Sequence, residues 1–215
     1  VEARAVEGDK MALRVDLVRA NGSLLGRAIV KGFSSDWQTH QCELASNGTE
    51  AKARLNVCFE GTGVLELDMV SLFPEETWKR RENGLRPDLV QMLADMKPGF
   101  FRFPGGCIVE GFDLSQRYQW KNTIGDPNQR VVTINRWNRE FSHRPCPDYY
   151  QSFGLGYYEY FLMAEDIGAE PMPIVNCGMA CQFNTAELVP MDQLGPYVQN
   201  ALDLIEFAKG PADSR

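Results

Sequence analysis

Along the first third of the chain, hydrophobic and polar residues alternate with a period of two. Leu13, Val15 and Leu17 lie on one side of the first run, and turn residues follow each run. We predict strands over residues 11–18, 27–33, 37–44, 51–59 and 64–72, with turns at Asn21-Gly22, Asn47-Gly48 and Gly61-Thr62-Gly63. Short strands with regular turns are typical of an antiparallel sandwich.

After Pro74 the apolar residues recur at helical spacing. Leu89, Leu93 and Met96 share one side of a helix that begins near Pro87. Further helices are predicted over residues 157–167 and 194–208, and strands over 100–103 and 170–176. Helices alternating with strands predict parallel βα units.

The change of period divides the chain into two domains. We predict a partial β-sandwich over residues 1–74 and a partial α/β domain over residues 75–215. Both are expected to be partial because 74 residues is short for a sandwich, and a parallel sheet needs more than two strands.

Composition excludes some classes of function. The 215 residues are 44% hydrophobic, which allows a sizeable core, and contain no apolar run near the ~20 residues of a membrane span. Lys and Arg are scattered and the net charge is −7, so we expect no nucleic-acid partner. The oligomeric state cannot be predicted.

The six cysteines form no CxxC motif, and His40 and His143 are the only histidines. We therefore predict no metal site. Cys42 and Cys58 fall in neighbouring predicted strands, where they could pair in a disulfide or simply be buried. The other cysteines are Cys107, Cys146, Cys177 and Cys181.

The strand over residues 100–103 ends abruptly at Pro104-Gly105-Gly106, with Arg102 inside it and Glu110 shortly beyond. In α/β barrels the loops after the strands build the active site, so polar residues here are candidate site residues. The alternative is an ordinary turn, in which the glycines supply backbone freedom only.

A long segment without clear periodicity runs over residues 110–152. Aromatic and basic side chains on such a loop suit a sugar-binding cleft, and the alternative is a loop packed on itself. The residues concerned are Tyr118, Trp120, Arg130, Trp137, Arg139, Glu140, His143 and Arg144.

The runs FRFPGGCIVEG (residues 101–111), YQWKNTIG (118–125), FGLGYYEYF (153–161) and VNCG (175–178) closely resemble α-L-arabinofuranosidases of glycoside hydrolase family 51. The resemblance covers most of residues 85–210 in order. More weakly, Trp37 and residues 67–74 resemble a jelly-roll carbohydrate-binding module.

The resemblance implies a (β/α)8 barrel, with residues 100–103 as its second strand and 171–176 as its third. It also implies retaining hydrolysis by two glutamates roughly 5–5.5 Å apart, without a cofactor. The acid/base of the family stands in an Asn-Glu pair after the fourth strand. This chain has no Asn-Glu dipeptide, so no catalytic residue is assigned within it and we expect it to be inactive alone.

The implied substrate-binding residues are Arg102, Gly106, Cys107 and Asn176. Arg102 would orient a catalytic carboxylate, and Cys107 would line the arabinose site. Asn176 would be a polar wall of the site or, alternatively, a cap of the strand end, and Glu110 is expected to be structural. We thus predict part of an enzyme that releases arabinose from polysaccharides such as arabinan or arabinoxylan, and we expect it to be secreted or periplasmic. The alternative is a non-catalytic carbohydrate-binding protein that uses Trp37.

Overall fold

The structure is a computed structural model that describes residues 1–8, 10–137 and 150–211. It divides into two compact units, Val1–Pro74 and Glu75–Arg215. Each unit buries its own apolar side chains, such as Leu13 and Leu25 in the first and Phe103 in the second.

Two antiparallel three-stranded sheets form the first unit. Its strands are β1 (Glu2–Glu7), β2 (Ala12–Val18), β3 (Leu24–Lys31), β4 (Gln38–Thr39), β5 (Arg54–Glu60) and β6 (Val64–Asp68). One sheet has the order β4-β1-β6 and the other β3-β2-β5. The turn at Asn21-Gly22 joins β2 to β3 as predicted, with Gly22 at φ +86°. The predicted partial β-sandwich is confirmed.

Between β3 and β5 the predicted strand is too long and the predicted turn is wrong. The strand predicted over residues 37–44 shortens to β4, which pairs with β1. Asn47-Gly48 is a bend within a long loop, where the Asn47 N–H donates to the Leu25 carbonyl at 2.9 Å. Cys42 and Cys58, which the sequence left open as a pair, are both free thiols in the described structure.

The second unit alternates helices and short strands. Its regular elements are α1 (Pro87–Asp95), β7 (Phe100–Phe103), α2 (Gly106–Glu110), β8 (Thr133–Ile134), β9 (Tyr150–Gln151), α3 (Tyr157–Ile167), β10 (Glu170–Pro173) and α4 (Gly195–Lys209). Single 3-10 turns lie at Trp78–Arg80, Leu114–Gln116, Trp120–Thr123, Pro127–Gln129 and Met191–Gln193. No helix in the described ranges is long and apolar enough to cross a membrane.

β7 and β10 pair in parallel, with Arg102 opposite Met172, which confirms the predicted βα arrangement. Because side chains alternate along a strand, Phe101 and Phe103 lie on one face and Arg102 on the other. Phe103 packs edge-on against Tyr157 of α3, with ring centroids 5.3 Å apart. The described residues thus supply part of a barrel wall and do not close a barrel.

The segment between α2 and α3 corrects the cleft hypothesis for three of its residues. Tyr118, Trp120 and Arg130 are all buried. Tyr118 packs on Phe153, and the Trp120 Nε1–H donates to the Asn200 carbonyl at 3.0 Å. These side chains therefore hold the segment against α3 and α4. Arg139, Glu140, His143, Arg144 and Cys146 lie outside the described residues.

Candidate functional site

The candidate site lies where β7 and β10 end. Arg102 occupies the face of β7 opposite the helices and is exposed. Among the described residues its guanidinium has no hydrogen-bonding or ionic partner. An arginine carries a fixed charge and a fork of donors that matches a carboxylate. Arg102 is therefore available to bind an anionic group on this face.

The turn after β7 requires glycine. Gly105 has φ +94°, and a Cβ atom there would lie 2.6 Å from Nη1 of Arg102. Gly105 therefore allows the guanidinium to fold over the turn. Gly106 follows at φ +51° with open space around it and begins α2, whose first turn carries Cys107.

Asn176 lies three residues past β10 and is buried. Its Nδ2 donates to the carbonyls of Val109 at 3.0 Å and Met179 at 2.9 Å. Its Oδ1 accepts from the Gly178 N–H at 2.7 Å. The amide thus ties the loop after β10 to α2, and this cross-link agrees with the strand-end alternative. Its contact with a substrate stays a prediction.

Cys107 and Glu110 share one side of α2 and face Cys181 from the loop after β10. The Sγ atoms and a carboxylate oxygen of these residues all lie within 4.8 Å of one another. Nη2 of the buried Arg136 donates to the Sγ of Cys181 at 3.2 Å. Burial, together with a hydrogen bond with the Cys181 thiol, raises the pKa of Cys107.

The fold therefore brings Asn176, in the loop after β10, next to the short helix α2 that carries Gly106 and Cys107, because Asn176 donates to the carbonyl of Val109 in α2. Arg102 covers the start of the same turn. Sequence reasoning missed Cys181 and Arg136. No motif marks them: they are 45 residues apart in the chain and meet only in the folded protein.

Similarity to known proteins decides the family. A profile described as "Alpha-L-arabinofuranosidase 1 domain" matches residues 92–215, more than half of the chain. The chain belongs to the α-L-arabinofuranosidases of glycoside hydrolase family 51. The strand and turn that carry Arg102 and Cys107 lie within the matched residues.

Individual relatives agree with this family. An extracellular exo-α-L-arabinofuranosidase of Streptomyces chartreusis is 38% identical over 231 residues, covering 100% of this chain and 26% of that protein. The α-L-arabinofuranosidase 1 of Arabidopsis thaliana is 39% identical, covering 94% of this chain and 28% of the relative. The chain thus spans about a quarter of these relatives.

A solved structure of the arabinose-bound family 51 α-L-arabinofuranosidase MgGH51 superposes with a TM-score of 0.82. The two sequences are 32% identical, and the match covers 99% of this chain and 34% of MgGH51. Because the match extends over nearly the whole chain, the order of sandwich and partial barrel is shared with that enzyme.

Proposed function

We propose that this chain forms part of a retaining α-L-arabinofuranosidase that removes terminal arabinofuranosyl residues from arabinose-containing polysaccharides. The observation that carries the proposal is the family match over residues 92–215, which includes the strand ends of the candidate site. Arabinan and arabinoxylan are the expected substrates. A secreted or periplasmic location would suit them, and the Streptomyces relative is extracellular.

In this proposal Arg102 orients a catalytic carboxylate and keeps it ionised. Its guanidinium projects from the face of β7 that carries no helix and has no partner among the described residues. A nearby cation favours the charged form of a carboxylate and limits its rotation. Gly106 and Cys107 contribute the adjoining wall of the site. Gly106 has no side chain and the thiol of Cys107 is half-buried, so both leave room for a sugar ring.

The test is the release of 4-nitrophenol from 4-nitrophenyl α-L-arabinofuranoside by the full-length enzyme. We expect Arg102→Gln to lower kcat by about 10²–10³-fold, the typical effect of losing one electrostatic contact in an active site. Arg86→Gln, at an exposed ion pair next to the start of α1, is the matched control and should leave kcat unchanged. The 215-residue chain alone should release no nitrophenol. A full-length protein that releases none would refute the proposal.

A second function, carbohydrate binding by the first unit, is favoured by one observation. Trp37 is 44% exposed, and the guanidinium of Arg4 lies 5.0 Å from its ring centroid. An exposed ring held by a cation offers an apolar face for stacking on a sugar.

Affinity electrophoresis of the 215-residue chain in gels containing arabinan tests this second function. Trp37→Ala should abolish any retardation of the chain. Phe183→Ala, which removes an exposed ring of the second unit, should not change it. Equal retardation of the two variants would exclude Trp37 as the binding residue.

A further inference from the structure

Three potential metal ligands converge where α2 meets the loop after β10. The Sγ atoms of Cys107 and Cys181 and a carboxylate oxygen of Glu110 lie within 4.8 Å of one another. Tetrahedral zinc with Zn–S bonds of about 2.3 Å sets its ligand atoms roughly 3.5–3.8 Å apart. Closing the trio around a cation therefore needs movements of roughly 1 Å, which side-chain rotation can supply.

Backbone hydrogen bonds hold the two ligand-bearing segments together. The Cys181 N–H donates to the carbonyl of Gly111, at the end of α2, at 3.2 Å. The Thr185 N–H donates to the Phe112 carbonyl at 3.4 Å, and the hydroxyl of Thr185 donates to the same oxygen at 3.1 Å. Together with the hydrogen bond from the Asn176 amide to the Val109 carbonyl in α2, these contacts fix the positions of the three ligands before an ion binds. A site prepared in this way loses little entropy on binding.

The charge of the surroundings suits a divalent cation bound by thiolates. Two thiolates and one carboxylate carry three negative charges, and a divalent ion neutralises two of them. Arg136, which donates to the Cys181 Sγ at 3.2 Å, places a positive charge beside the ligands. Hydrogen bonds to the ligands from outside the coordination shell also orient them. A divalent ion would therefore leave the three ligands with a single net negative charge next to a guanidinium, which suits a partly buried position.

We propose that Cys107, Glu110 and Cys181 bind a thiophilic divalent cation such as Zn²⁺. Water fills the fourth position, and both thiols lose their protons to the solvent on binding. Cys181 is buried, whereas Cys107 and Glu110 are half-buried, so the ion enters from the side of α2. Sequence spacing predicts no metal site because the ligands come from two distant segments.

Metal binding itself does not depend on the proposed glycosidase function, but one consequence does. Cys107 is also a proposed wall of the arabinose site, so a bound ion would rotate its side chain away from the sugar. Zn²⁺ should then inhibit the full-length arabinofuranosidase reversibly, and chelation should restore the rate. If the enzyme proves inactive, the binding experiment still tests the metal site.

The binding experiment titrates Cd²⁺ into the reduced 215-residue chain and follows the ultraviolet thiolate-to-cadmium charge-transfer band. We expect one equivalent to bind. Cys107→Ser should abolish the band, and Glu110→Gln should weaken binding by about 10–100-fold. Arg136→Gln should weaken it by a similar factor, as loss of an outer hydrogen bond typically does. The matched control is Cys177→Ser, which removes an exposed thiol outside the trio and should bind like wild type.

Circular dichroism shows whether each variant has folded. Glu110→Gln keeps the shape of the side chain, so the proposal remains testable if a cysteine variant fails to fold. Failure of the wild-type chain to bind Cd²⁺ would overturn the proposal. A loss of binding in Cys177→Ser as large as that in Cys107→Ser would overturn it too. A Cys107–Cys181 disulfide that persists in the folded protein in the presence of excess reductant, seen as two missing thiols in a thiol count, would overturn it as well.

Discussion

Arg130 offers the sharpest test of how the long segment between α2 and α3 is held. Its side chain is only 2% exposed and forms a two-bond fork with Glu159, which is 26% exposed. The fork distances are 2.7 Å from Nη2 to Oε1 and 3.0 Å from Nη1 to Oε2. The guanidinium also donates to the carbonyls of Gly125 and Phe153, each at 2.7 Å.

We expect Arg130→Ala to lower the free energy of unfolding by about 3–5 kcal/mol, the usual cost of removing one partner of a buried ion pair. Two carbonyl oxygens also lose their donor, at about 1–3 kcal/mol for each one that stays dry. These contributions overlap, since water can enter the space that the side chain leaves. The melting temperature should fall by on the order of 10 °C.

The control for Arg130→Ala is the Arg86–Asp88 pair, which is also joined by two hydrogen bonds, here from Nε and Nη2, with both side chains 60% exposed. Arg86→Ala should leave stability unchanged, because solvent screens an exposed pair. Urea unfolding followed by tryptophan fluorescence is suitable, since Trp78, Trp120 and Trp137 all lie in the second unit. If Arg130→Ala costs no more than Arg86→Ala, the argument from burial is refuted.

Two further predictions concern acid stability and the turn after β7. Hydrogen bonding and ion pairing with Arg81 lower the pKa of Asp166 to about 2. The ionised carboxylate therefore contributes on the order of 2 kcal/mol to the free energy of unfolding above pH ~4. This contribution disappears as the pH falls toward 2. Asp166→Asn should therefore lose stability at pH 7 and flatten acid unfolding between pH 4 and 2; an unchanged acid profile would contradict this. Gly105→Ala should lower stability more than Gly106→Ala. Both glycines have positive φ, but only at Gly105 would the new Cβ contact the Arg102 guanidinium. The urea midpoints of the two variants measure the difference, and equal midpoints would contradict the predicted contact.

Elements with strong local signals could be predicted from the sequence. The bounds of α3 match the prediction, since apolar residues recur at helical spacing and Gly168 ends the helix in the left-handed region at φ +71°. β7 was also located, because four mostly apolar residues stand between Gly99 and Pro104. These signals come from neighbouring residues in the chain, so the elements can be predicted without knowledge of the fold.

Weak local signals and long-range contacts could not be predicted. β1 was not predicted from the sequence because two of its inward-facing residues are alanines, whose low hydrophobicity gives only a weak alternating pattern. α2 has five residues, too few to show a helical period. The meeting of Cys107 with Cys181 depends on the parallel pairing of β7 with β10, which places the two following loops side by side. Such contacts are set by the order in which strands pair, which the local sequence does not reveal.

The error over Tyr118, Trp120 and Arg130 has a different physical cause. A segment without regular structure leaves many backbone carbonyls without a partner, and buried ones must find a donor. Arginine has five N–H donors in a rigid fork, and Arg130 uses them on Gly125, Phe153 and Glu159. The same donor pattern that suits a sugar or a carboxylate therefore also suits the backbone of an irregular segment. Arg102 stands on a strand that pairs with β10, and its guanidinium has no partner among the described residues, which agrees better with the proposed binding role than with a structural one.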